Sequence, residues 1–116
     1  LDNFDTKTMK AFLLGWYPDY IDPDNYTAAF AGTSGSAGMG IYFSDPAWDA
    51  LFTKEQQNSS DAVRKSVFEE IQKRWAVDVP TIPIFQGNLF VFTKPGVKGV
   101  MIGPTLIFNY DTLYFE

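Results

Sequence analysis

Between Ser60 and Trp75 the apolar residues Val63, Val67, Ile71 and Trp75 recur at every fourth position, with Phe68 beside them. That interval lines one face of an α-helix and fits no strand, so an amphipathic helix with an apolar inner face is the firmest element of the chain. Ser60 is placed to cap it. On its other face Lys65–Glu69, Glu69–Lys73 and Glu70–Arg74 are i,i+4 pairs, a solvated charged surface contributing about 0.2–0.5 kcal/mol per pair. A second helix is predicted from Pro46 to about Gln57, because Ser44-Asp45-Pro46 sets a capping side chain before a proline suited to the first turn. Ala47 and Leu51 form its predicted inner face, with Trp48 and Phe52 as further candidates.

The segments around these helices read differently. Thr8–Trp16 is a continuous apolar run that predicts a buried strand. Pro18 and Pro23 prevent regular pairing across Tyr17–Asp24, and Asp22 or Asp24 is placed to cap a short helix containing Asn25–Phe30. Gly32–Gly40 holds four Gly and two Ser in nine residues, which predicts a surface loop. After Asp78 the pattern turns to β: Thr81–Phe85, a Gly87-Asn88 hairpin turn, Leu89–Thr93, a Pro95-Gly96 turn, Val97–Ile102 and an aromatic-rich Leu106–Phe115. One strand, two or three helices and a run of strands make an α+β arrangement without repeats.

A chain of 116 residues has room for one core, yet 17% of it is aromatic, with eleven Phe, six Tyr and three Trp, more than such a core needs. Several predicted strands lack a partner, and a terminal strand as apolar as Leu106–Phe108 and Leu113–Phe115 would leave an open, adhesive edge. This points to missing polypeptide. The chain begins without Met or a basic-then-apolar leader, which fits a mature product, an engineered chain or a fragment, and the unpaired strands favour a fragment.

Histidine and cysteine are both absent, which removes thiolate nucleophiles, imidazole bases and the usual zinc, copper and haem ligand sets. No metal and no cofactor is expected. A formal charge of −5 opposes the phosphate contacts that drive nucleic-acid binding. The longest apolar runs, such as Ala11–Leu14 and Leu89–Phe92, are far too short to cross a bilayer.

Gly15–Asn25 is the segment richest in chemistry, with Asp19, Asp22 and Asp24 beside Trp16, Tyr17 and Tyr20. A calcium loop starting at Asp22 fails, because its sixth position is Thr27 rather than Gly and its twelfth is Thr33 rather than Glu. Glycoside hydrolysis needs two carboxyls on opposite walls about 5–10 Å apart, which neighbours on one short loop seldom supply. Asp22 and Asp24 are assigned to capping and turn-making, and Asn25-Tyr26-Thr27 and Asn58-Ser59-Ser60 to capping and a turn rather than to glycosylation. Asp19 has no obvious backbone donor to cap. A carboxylate walled by Trp16 and Tyr17 suits an ammonium group, although packing alone would also account for the two aromatics.

The stretch Leu14–Tyr26, with its Gly15-Trp16, Asp19 and Asp22-Pro23-Asp24-Asn25, is followed in order by four further matches. These are Tyr42–Pro46 with Asp49 and Leu51, then Arg64, then Ile71-Gln72, and finally Pro80–Ile84 with Val97–Val100. From about residue 8 to 115 this series resembles the C-terminal part of the family 5 extracellular solute-binding proteins, the dipeptide- and oligopeptide-binding components of ABC importers.

The resemblance implies an α+β, C-terminal fragment of a two-lobed periplasmic-binding-protein fold of type II, in the peptide-binding cluster. Residues 1–78 would belong to the second lobe, and residues 79–116 would cross the hinge and return as strands of the first. It implies a binding protein and not an enzyme, with Asp19 accepting the ligand's α-ammonium and Trp16 and Tyr17 lining the pocket. The implied partners are a peptide or similar small solute, the remaining N-terminal polypeptide and the permease subunits in the membrane. The implied location is periplasmic or extracellular, tethered to the outer face of the cytoplasmic membrane in a host lacking a periplasm. Two alternatives stand beside it: a glycoside-type hydrolase using Asp19, Asp22 and Asp24, and a free-standing protein-interaction module.

Overall fold

The computed structural model describes residues 8–105 and 108–116. Among them four α-helices precede two short strands, an α+β order: α1 (Ala28–Ala31), α2 (Thr33–Gly38), α3 (Pro46–Gln56), α4 (Asp61–Asp78), β1 (Val97–Lys98) and β2 (Tyr114–Phe115). Single 3-10 turns at Pro23–Tyr26 and Tyr110–Thr112 complete the regular structure.

The core lies between α3 and α4 and is closed at one end by α1. Ala31, Trp48, Phe52, Val67 and Ile71 are its buried apolar residues, and Val63, Phe68 and Trp75 of the predicted stripe pack against them. Trp48 is wholly buried, with its ring edge-on to Phe43 and Trp75 at 5.7 Å each. Its indole N–H donates to Asp78 Oδ2 at 2.9 Å, tying the start of α3 to the end of α4.

Both helices begin where their caps predict. Asp45 accepts the Ala47 N–H at 2.8 Å, whereas Ser60 caps α4 by position without a side-chain hydrogen bond. The inner face of α3 is rotated from the predicted one: Trp48, Phe52 and Glu55, spaced four and three, point inward, while Ala47 is exposed and Leu51 half-buried. The larger rings take the core because they bury more apolar surface. Of the three predicted i,i+4 pairs on α4, Glu70–Arg74 closes, at 3.1 Å.

Other expectations are corrected as well. The first concerns Gly32–Gly40, which folds largely as α2 rather than as a loop. Asp49 of α3 supplies the cap the sequence did not place, accepting the Thr33 N–H at 2.9 Å and the Thr33 hydroxyl at 2.7 Å. Buried Ser36 hydrogen-bonds the Phe43 carbonyl. Gly35 lets α2 turn tightly against α1, since a Cβ there would stand 2.3 Å from the Ala28 carbonyl oxygen. Tertiary contacts thus override poor local propensity.

The second correction concerns Thr8–Trp16, which forms no strand and leaves Leu13 73% exposed. The third concerns Thr81–Phe85 and Leu89–Thr93, which are likewise not strands, and of Val97–Ile102 only Val97–Lys98 is. That strand starts directly after the predicted Pro95-Gly96 turn and pairs antiparallel with Tyr114–Phe115, Val97 opposite Phe115 and Lys98 opposite Tyr114. Leu106 and Ile107 of the predicted terminal strand lie outside the described residues. A two-stranded pair alone is marginal in water, and among the described residues Phe85 and Phe92 stay 81% and 93% exposed.

The short 3-10 turn and α1 replace the single helix predicted over Asn25–Phe30, with Thr27 at the break. At the far end of α4, Val79 closes the helix in the left-handed region at φ 47°, a strained conformation for a β-branched residue. The indole N–H of Trp75 donates across this corner to the Thr81 carbonyl at 3.0 Å. Beyond it the chain is extended, and the radius of gyration is 18.0 Å. A self-contained domain of this length would have about 13 Å. The accessible surface of 8739 Å² likewise exceeds the roughly 6,400 Å² that a compact monomer of this mass exposes.

Candidate functional site

The loop from Trp16 to Asn25 is organised by one buried amide. Asn25 Oδ1 accepts the Trp16 indole N–H at 3.2 Å and the Asp19 backbone N–H at 2.9 Å, and the Asn25 carbonyl also takes the indole N–H, at 3.1 Å. The half-buried Trp16 ring stands edge-on to Phe30 of α1 at 5.3 Å. Trp16 and Asp19 are therefore brought together by a shared acceptor. The Asp19 side chain is exposed, and Tyr17 is 51% exposed. The Asp19 backbone is thus held by Asn25 while the residue itself stays exposed to solvent.

Asp22 caps the 3-10 turn as predicted, accepting the Asp24 N–H at 2.9 Å, and also receives Arg64 Nη2 at 2.6 Å. The Arg64 hydrogen bond holds its carboxyl below the usual range. Asp24 is corrected: its carboxylate caps nothing and instead accepts the Tyr20 hydroxyl at 2.8 Å and Gln56 Nε2 at 3.1 Å. That bond to Asp24 pushes the Tyr20 phenol up. With Asp22 engaged by Arg64 and both Asp24 oxygens taken by protein donors, the two carboxylates that the hydrolase alternative sets beside Asp19 are committed to holding the loop.

Arg64 of α4 also donates twice to Glu55 Oε2, from Nε at 3.2 Å and Nη2 at 2.9 Å, and lies 5.4 Å from the Phe68 ring centroid. Glu55 is wholly buried, and its Oε1 has no hydrogen-bond donor among the described residues. Burial, followed by the neighbouring Asp24 carboxyl, pushes Glu55 up to about 7. The two carboxylates raise the Arg64 guanidinium in turn. The sequence marked Arg64 only through the resemblance and gave Asn25 to a cap or turn. The sequence reading did not single out Glu55; the one signal for its burial was its position on the Trp48 and Phe52 face, seven residues after the first and three after the second.

An open cleft of about 390 Å³ lies between this loop, α2 and α3, lined by Tyr20, Asp24, Thr33, Asp49 and Gln56 among others. A smaller apolar hollow of about 210 Å³ sits in the C-terminal segment between Val91, Met101, Phe108 and Leu113. Neither includes Trp16, Tyr17 or Asp19 in its lining. Among the described residues no three acidic side chains stand together as a metal site, and no helix is long and apolar enough to cross a membrane.

Comparison with known proteins gives partial matches. The di/tripeptide-binding protein 4 of Pseudomonas aeruginosa is 29% identical over 102 residues, 86% of this chain and 19% of the relative. The heme-binding protein A of Haemophilus influenzae is 29% identical over 108 residues, 91% of this chain and 19% of the relative. The dipeptide-binding protein of Pseudomonas aeruginosa is 28% identical over 95 residues, 81% of this chain and 18% of the relative. No protein-family model and no solved structure matches the chain. The chain spans about a fifth of the length of these curated relatives. The relatives are named as binding proteins and not as enzymes, and they bear out the resemblance drawn from the sequence, to the family 5 extracellular solute-binding proteins.

Proposed function

We propose that this chain is the C-terminal part of a solute-binding protein that serves an ABC importer, and that its Trp16–Asn25 loop receives the charged end of a peptide. Residues 8–78 would form the wall of the second lobe. Val79 and Pro80 would begin the crossing, and residues 81–116 would complete the sheet of the first lobe. The strained corner at Val79 supports a change of course there. The extended segment beyond it, with its exposed Ile82, Ile84, Phe85 and Phe92, has the character of strands awaiting partners. The protein would work outside the cytoplasmic membrane, in the periplasm or tethered to the membrane's outer face, and hand its solute to permease subunits.

The observation that carries the ligand assignment is the pinned backbone of a solvent-exposed Asp19. An ammonium group placed between that carboxylate and Trp16 would gain charge pairing and an aromatic face, and lobe closure would remove the water that weakens both. Such closure stores no chemistry: ligand contacts to both walls favour the closed state, and the permease reads that state. The committed roles of Asp22 and Asp24 leave hydrolysis without a free carboxyl beside Asp19.

Calorimetric titration of the two-lobed protein with dipeptides, N-acetylated dipeptides and heme tests this. Binding of free dipeptides, loss of tenfold or more on N-acetylation or in Asp19→Asn, and an unchanged melting temperature in that variant are expected. Equal affinity for acetylated and free dipeptides, or binding of heme alone, would overturn the role of Asp19.

A further inference from the structure

We propose that Arg64 is the positioning residue of the Trp16–Asn25 loop: Glu55 of α3 orients its guanidinium, and the guanidinium fastens Asp22 so that Asn25 grips Trp16 and the Asp19 backbone. The inference rests on the proposed ligand role of that loop for its functional meaning, but not for its chemistry.

Three stretches of chain meet at this one guanidinium. Arg64 stands in the first turn of α4, and its Nε and Nη2 both donate to Oε2 of Glu55, near the end of α3, at 3.2 and 2.9 Å. The Phe68 ring, one turn further along α4, lies 5.4 Å from it. Nη2 carries a second hydrogen, which reaches Asp22 Oδ1 at 2.6 Å. The same oxygen accepts the Asp24 N–H at 2.9 Å, and the Asp22 carbonyl accepts the Asn25 N–H at 3.2 Å. From Arg64 the contacts therefore run through Asp22 to Asn25, whose side chain takes the Trp16 indole and the Asp19 N–H at 3.2 and 2.9 Å.

The make-up of the Glu55–Arg64 pair argues for this role over simple packing. A small core gains little from burying a carboxyl, because an ion pair taken out of water seldom stabilises more than apolar residues of the same volume. Glu55 is wholly buried and its Oε1 has no donor among the described residues, so the group is kept there at a cost. What it adds over a leucine is orientation: a planar fork bonded along one edge and backed by a ring aims its remaining N–H in one direction. The bond so aimed is sheltered, with 25% of the Arg64 and 28% of the Asp22 side chain exposed, whereas the neighbouring fastening from Gln56 to Asp24 is open to water.

The test is amide hydrogen exchange in the two-lobed protein without ligand, read at Asp19 and Asn25 and across α3 and α4. Glu55→Leu combined with Arg64→Met keeps apolar contact between the helices and removes the fastening. Asp22→Ser keeps a capping oxygen for the Asp24 N–H and removes the carboxylate that Arg64 holds. Each change should speed exchange at Asp19 and Asn25 about tenfold, the size of one lost charge-assisted hydrogen bond, and leave α3 and α4 protected as before. Together they should do no more than either alone, because both cut the same link. If Arg64 only packs the helices, exchange at Asp19 stays unchanged in the Glu55→Leu, Arg64→Met protein, or the effects multiply on combination. Either result would overturn the proposal, and should that doubly altered protein not fold, unchanged exchange at Asp19 in Asp22→Ser overturns it alone. Because no ligand is present, failure of dipeptide binding would leave this result standing, and the two readings fail separately.

Discussion

Trp48 holds α3 to α4, and its removal gives a magnitude that follows from the packing. A wholly buried Trp withdraws on the order of 200 Å² from water, which at about 25 cal/mol per Å² is roughly 5 kcal/mol, and Trp-to-Ala changes in cores cost about 3–5 kcal/mol. Trp48→Ala should therefore cost about 4 kcal/mol and could consume most of the stability of so small a core. Trp48→Phe separates the contributions. It keeps a ring against Phe43 and Trp75 but deletes the indole N–H bond to Asp78. Asp78 is exposed and regains water, so the loss should be near 1–2 kcal/mol. Urea unfolding followed by far-ultraviolet circular dichroism measures both. The reasoning is refuted if Trp48→Ala costs under about 1 kcal/mol, since that indole would then not be what joins the two helices.

Two further predictions concern the loop and its charges. Asn25→Ala leaves the Trp16 indole and the Asp19 N–H without their shared side-chain acceptor and should destabilise the chain by about 1–3 kcal/mol, with a broadened or lost Trp16 indole resonance. The melting temperature should be highest at weakly acidic pH. Asp22, lowered from 3.8 by Arg64, contributes stability present above that value and lost as pH falls through its folded one. Glu55, raised from 4.5 to about 7, contributes stability fully present below 4.5 and lost as pH rises through about 7. A melting temperature that climbs steadily to pH 8 would contradict the buried-acid assignment.

The helices were legible because their signals are local. The Val63, Val67, Ile71 and Trp75 period and the Asp45-Pro46 start need no distant partner to be read, and both are where they were predicted. Helix α2 was not legible, because its cap comes from Asp49, sixteen residues away, and its glycines are used for close approach to α1 rather than for freedom. The strands failed for the opposite reason. Leu89–Thr93 has the composition of a strand, but a strand needs a neighbour to take its backbone groups. At the site, Trp16 and Asp19 were visible as residue types. Their common anchor Asn25, and the Arg64–Glu55 pair behind it, depend on contacts six to nine residues apart that join different elements, which no spacing displays.

Amide hydrogen exchange measured on this chain alone and on the longer two-lobed protein tests the central claim most directly. The account predicts that α3 and α4 are protected in both, whereas residues 82–92 and 113–115 exchange freely in the chain alone and become slow once the first lobe is present. Equal exchange of those residues in the two samples would contradict it.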